Sequence, residues 1–158
     1  MRRTFVLLVV VSLGLATHVV GAQGSKDSSD ARQAILNYQL TLPRANQLIS
    51  AMVAMTKYLV SLPNYQERMA KSLKMTPAER LTQVENDPKA MAILKENGLT
   101  APDYLVGVPT LRMALMVAQG AVTGPTIIAS SANVAFAKAN LNELKPKMDA
   151  ADGISARK

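Results

Sequence analysis

Apolar and polar positions follow helical spacing along nearly the whole chain, apart from one block at its start. After Met1, Arg2 and Arg3, the segment Phe5–Ala16 is apolar except for Ser12 and Gly14, and a more polar stretch ends in Val20-Gly21-Ala22. A basic start, an apolar centre and small residues before a polar position make the pattern of a secretory signal peptide, here cut before Gln23. The apolar run is shorter than the roughly 20 residues that span a bilayer core. No cysteine follows it, so it is not a lipoprotein signal.

Residues 23–29 are small and polar and read as a flexible leader. From Asp30 the helical period begins. Ala31, Ile35, Tyr38 and Leu42 recur at three and four, which predicts a first helix over Asp30–Leu42 with a kink or break at Pro43. Ala45–Val60 is the most apolar stretch after the signal and predicts a central helix, followed by a more charged one over Tyr65–Lys74.

Three further starts are marked by capping chemistry. Thr76-Pro77-Ala78-Glu79 and Thr100-Ala101-Pro102-Asp103 each join a capping hydroxyl, a proline in the first turn and a carboxylate able to reach back to the cap. Asp87-Pro88 opens a short helix that stops at Asn97-Gly98. The helix from Ala101 to about Val122 is long and apolar, but Arg112 near its middle and Pro109 argue against a membrane span. Gly124-Pro125 breaks the chain, and a last helix is predicted from Ala132 to Leu144 or beyond, fraying after Pro146.

No strand-like alternation and no repeat occurs, so the fold class is all-α: a compact, orthogonal or bundle-like domain of about four to six helices after a cleaved signal peptide. The expected organisation is 1–22 signal peptide, 23–29 leader, 30–150 a single helical domain and 151–158 a disordered tail. This places the protein in the periplasm or outside the cell of a Gram-negative bacterium.

Composition sharpens the functional reading by what it withholds. The chain has no Cys and no Trp, and its one histidine, His18, lies in the signal. The processed chain therefore lacks the ligands of an ordinary zinc site and the partners of a Ser-His or Cys-His nucleophile. It has no glycine-rich phosphate cradle and no calcium loop. Carboxylate pairs among Glu79, Glu85, Glu96, Glu143, Asp87 and Asp103 are formally available, yet three of these have capping positions and the others lie in solvated segments, Glu96 and Glu143 near a Lys. The expectation is a protein that is not an enzyme and needs no cofactor. The formal net charge of +7 falls when Arg2 and Arg3 leave with the signal, and the remaining basic residues are scattered, which argues against nucleic acid as a partner.

Methionine is the one enrichment, nine in all. Met52/Met55 and Met113/Met116 lie three apart, so each pair shares a helix face and could offer soft thioether ligands to monovalent copper or silver. The same residues fill cores and adaptable grooves. The leading expectation is an apolar groove between the Ala45–Val60 and Tyr104–Val122 helices, lined by Met52, Met55, Tyr58, Tyr104, Val108, Arg112 and Met116. It would bind a protein segment or an apolar small molecule; the alternative is an accessory subunit or homodimer that covers the same surface without a ligand.

The stretch Asp87-Pro88-Lys89-Ala90 through Leu94-Lys95, then Gly98-Leu99-Thr100-Ala101-Pro102-Asp103-Tyr104, resembles a group of exported bacterial helical proteins without an assigned activity. Asn133-Val134-Ala135-Phe136 and Asn142-Glu143-Leu144 are similar to their last helix. The resemblance covers about residues 85–145 and implies a fold and a compartment only. Met75-Thr76-Pro77-Ala78-Glu79-Arg80 also resembles, more distantly, the small periplasmic helical chaperones of envelope stress. Their Leu-Thr followed by Gln is not reproduced here, and there is no second copy.

Overall fold

The capping residues set the frame of the fold. In the computed structural model, which describes residues 23–124 and 127–155, Thr76 and Glu79 form a reciprocal pair: the Thr76 N–H donates to Glu79 Oε2 at 2.7 Å, and the Glu79 N–H donates to Thr76 Oγ1 at 3.2 Å. Thr100 and Asp103 repeat the arrangement at 3.1 and 3.2 Å. Asp87 accepts from the N–H groups of Lys89 and Ala90, both at 3.1 Å. Each device satisfies donors that a helix start leaves open.

The described residues form eight helices and no strand: α1 Gln23–Asn37, α2 Leu42–Ser61, α3 Tyr65–Ser72, α4 Pro77–Glu85, α5 Pro88–Glu96, α6 Ala101–Ala118, α7 Ser131–Ala139 and α8 Leu141–Ser155. Eight exceeds the four to six expected, and the reasons are local. The boundary between the first two helices also moves, without changing their number: Leu42 opens α2 rather than closing α1. Thr41 Oγ1 accepts from the Arg44 N–H, and Pro43 falls in the first turn, where its missing N–H costs nothing. The last helix is two, divided at Asn140, whose Nδ2 donates back to the Phe136 carbonyl at 2.8 Å while its own carbonyl accepts from the Leu144 N–H.

Both ends of the described chain are more helical than expected. α1 starts at Gln23, inside the stretch that reads as a leader, although Gly24, Ser25, Asp27, Ser28 and Ser29 all have low helix propensity. α8 runs through Pro146 to Ser155, into the segment 151–158 expected to be a disordered tail. Ala151 is buried there, and Asp152 pairs with Arg112 of α6. The signal-peptide reading falls on residues 1–22, which, like residues 156–158, lie outside the described residues.

The apolar α2 and α6 pack directly on each other, with α8 against α2, α7 against α6, and α5 against α2. Leu48, Leu94, Leu111 and Leu144 are fully buried where these helices meet. Each such side chain is worth about 1.5–3 kcal/mol relative to exposure. Ala45, Ala51, Ala114 and Ala137 are fully buried too, which lets the backbones close up. The tightest approach is at Gly107, where a Cβ would lie 2.8 Å from Leu48 Cδ2 and 2.8 Å from the Tyr38 hydroxyl. One cluster of buried apolar residues extends from Leu40 to Ala151.

Among the described residues, no helix is long and apolar enough to cross a membrane. α6 stops at Ala118, and Gly120, in the left-handed conformation at φ 71°, closes it while the Ala121 N–H donates to the Met116 carbonyl.

Candidate functional site

α3 and α4 are the least embedded helices, and the cleft they create is the candidate site. Asn64 makes no side-chain capping bond to α3, and neither α3 nor α4 has a buried residue. α3 packs on α2 and α4 on α5 and α6, and a cleft of about 190 Å³ opens between them, the C-terminal half of α2 and the start of α6. Met55 and Leu59 of α2, Met69 of α3, Val84 of α4 and Leu105 of α6 line it with apolar surface, and Ala90 of α5 adds to the floor. Arg68, Arg80, Gln83, Ser72 and Asp87 supply polar groups, together with Tyr65 and Tyr104. A wider and more polar depression of about 610 Å³ lies between α3 and α4, sharing Arg68 and Gln83 with the first.

The electrostatics converge on Asp87. Tyr58 Oη lies 3.0 and 2.9 Å from its two oxygens and donates to the carboxylate. Arg68 Nη2 donates to Oδ2 at 3.4 Å. With the two backbone donors of α5, Asp87 is fully engaged. Burial pushes the Tyr58 hydroxyl above its usual range, and the hydrogen bond and charge of Asp87 add to that, against the opposing pull of Arg68. Burial raises the Tyr104 hydroxyl further, to about 12, with Arg112 opposing it.

Arg80 stands apart. Among the described residues, no carboxylate lies within 4.0 Å of its guanidinium, and its Nε is buried without a hydrogen-bond partner. Arg68 Nε is buried and unpartnered in the same way. Arg68 and Arg80 thus both line the cleft, and each keeps one buried Nε–H without a partner, an uncommon arrangement because such groups are costly to leave unpaired.

Of the residues expected in a groove between α2 and α6, Met55 and Tyr104 meet in this cleft, and Tyr58 adjoins it through Asp87. Met52 is buried in the core, its Sδ accepting from Arg112 Nη2 at 3.2 Å. Arg112 also pairs with Asp152, tying α6 to α8. Val108 packs against the core, and Met116 is 37% exposed on α6 outside the cleft. Where α2 and α6 run together they are in direct contact, so the opening falls beside that contact, under α3 and α4. Sequence reasoning missed Arg68, Met69, Arg80 and Val84. The one available signal was Tyr65 and Met69 sharing a face of an otherwise charged helix.

Of the methionine pairs, Met52 presents its sulfur to a guanidinium, a neighbour that repels a metal cation. No group of three or more His, Asp or Glu side chains able to hold a metal ion occurs among the described residues. No protein-family profile, curated protein or solved structure matches the chain.

Proposed function

We propose that this is an exported, non-enzymatic binding protein of the bacterial envelope that takes an apolar group into the cleft beneath α3 and α4. The observation that favours this reading is the cleft itself: an apolar lining drawn from α2, α3, α4 and α6, roofed by two helices that contain no buried residue. Helices seated so shallowly can move apart without breaking the main core, and methionines adapt to varied occupants. A volume of about 190 Å³ is below the roughly 300–1,000 Å³ of sites that enclose a whole drug-sized ligand. The cleft therefore suits a narrow apolar segment. Export rests on the basic, apolar and small-residue pattern of residues 1–22.

The neutral dye Nile red tests the cleft. Saturable fluorescence enhancement is expected with the purified protein, and Gln83→Trp, which fills the opening from α4, should abolish it without lowering the melting temperature. Enhancement that survives Gln83→Trp would place the apolar site elsewhere. Cell fractionation is expected to recover the protein from the periplasm or medium with an N-terminus at Gln23; recovery from the cytoplasm alone would end the export reading, and an intact Met1 on exported protein would end the cleavage reading.

A second reading, a homodimer or accessory subunit without a ligand, is favoured by Leu73, 64% exposed at the end of α3. Light scattering decides it, since a tight dimer would explain that surface with no occupant.

A further inference from the structure

We propose that the occupant of the cleft is an unbranched aliphatic chain bearing one carboxylate, a medium-chain free fatty acid, with the head group held by Arg68 and Arg80. The inference rests on the binding reading above and adds to it the chemistry of the ligand. Arg68 on α3 and Arg80 on α4 both line the cleft, and each has a buried Nε with no hydrogen-bond partner. Asp87 does not satisfy them. Its oxygens already receive the Tyr58 hydroxyl, the Lys89 and Ala90 N–H groups and one Arg68 Nη2, and no ion pair joins it to Arg80.

Charge selects the head group. Two guanidinium groups and one carboxylate in the lining leave a single unit of positive charge, which one added carboxylate neutralises. The planar fork of arginine also matches a carboxylate in shape. A cationic or zwitterionic head would be repelled or left half unanswered. The apolar part of the lining selects the tail. A peptide would bring backbone N–H and C=O groups against Met55, Leu59, Val84 and Leu105, whose side chains offer no partners, whereas a methylene chain brings none. The small volume favours a narrow chain, and its outer end can leave past Met69, which is 36% exposed.

Displacement of Nile red by three amphiphiles of equal chain length tests this: decanoate, decanol and decyltrimethylammonium. Decanoate is expected to displace the dye at a concentration about tenfold or more below that of decanol, the scale of one charge-assisted hydrogen bond, with the cation weakest. Arg80→Gln should bring decanoate to the decanol value while leaving decanol unchanged, and that unchanged value also reports an intact fold. Equal displacement by decanoate and decanol in the unaltered protein would overturn the head-group assignment and leave the cleft reading standing. Nile red bound at the cleft but displaced by none of the three would overturn the aliphatic ligand. Failure of Nile red to bind at all would instead sink the cleft reading itself.

Discussion

Tyr58, near the end of α2, donates its phenolic proton to Asp87, the residue that caps α5, at 2.9–3.0 Å. One carboxylate thereby joins the central helix, the start of α5 and, through Arg68, α3. Tyr58→Phe removes a hydrogen bond to a charged group and is expected to cost about 1–2 kcal/mol. Asp87→Ala removes the cap as well and should cost more, about 2–3 kcal/mol from the two losses together. Urea unfolding checks both, and a Tyr58→Phe midpoint at or above that of the unaltered protein contradicts the assignment.

Tyr38 presents the opposite case. Its hydroxyl is buried without a partner, and a Cβ at Gly107 would lie 2.8 Å from it. Tyr38→Phe should therefore stabilise the protein by about 1 kcal/mol, since a buried polar group without a bond is replaced by an apolar surface of similar shape. Gly107→Ala should destabilise it by about 1–3 kcal/mol, because the methyl group also meets both Leu48 methyls at 2.8 and 2.9 Å. Combining the two changes should lessen the penalty of the second. Thermal melts of the two single variants and the double variant form the cycle that measures this coupling.

Asn133 of α7 supplies a buried polar link between the early and late parts of the chain. Its Oδ1 accepts from the Leu40 N–H at 3.0 Å and its Nδ2 donates to the Tyr38 carbonyl at 2.7 Å, so it satisfies the backbone between α1 and α2. It is only 2% exposed, so both bonds lie away from solvent. Asn133→Ala should lose about 2–4 kcal/mol as two buried backbone groups go unpaired. Asn133→Asp should cost at least as much, since it buries a carboxylate and sets one of its oxygens against the Tyr38 carbonyl. Equal melting temperatures for the unaltered and alanine proteins would show that the link has no energetic weight.

What the sequence showed of these features follows from their range. Caps at Thr76, Asp87 and Thr100 involve partners two or three residues away, so spacing alone revealed them. The apolar periods of α2 and α6 likewise marked the central pair. Asn133 meets residues more than ninety positions earlier, and no local pattern distinguishes it from a solvated asparagine. Arg68 and Arg80 fall in charged stretches that read as exposed faces, and only the docking of α3 and α4 turns them toward one opening. The helix count came out low for a comparable reason. Asn140 is a moderate helix residue whose carbonyl becomes a new start only once Leu141, Leu144 and Met148 have a core to bury against.

The dependence of stability on pH separates the caps from the core tyrosines. Burial would raise the Asp103 carboxyl, but hydrogen bonds from the Thr100 side chain and backbone, with the charge of Arg44, hold it below its usual value. The backbone and side chain of Thr76 do the same for Glu79. Groups lowered in the folded state contribute stability that is present above their unfolded values, about 4, and is lost as pH falls through the folded ones. Tyr104, raised from 10.0 to about 12, contributes stability that is complete below pH 10 and lost as pH rises through 12. Urea midpoints should therefore fall below about pH 4 and again above about pH 10. Tyr104→Phe should flatten the alkaline limb and leave the acid limb unchanged. Thr76→Ala with Thr100→Ala should cost about 1 kcal/mol per cap near neutrality and flatten the acid limb. An acid limb of undiminished steepness in that double variant would mean that other carboxylates govern it.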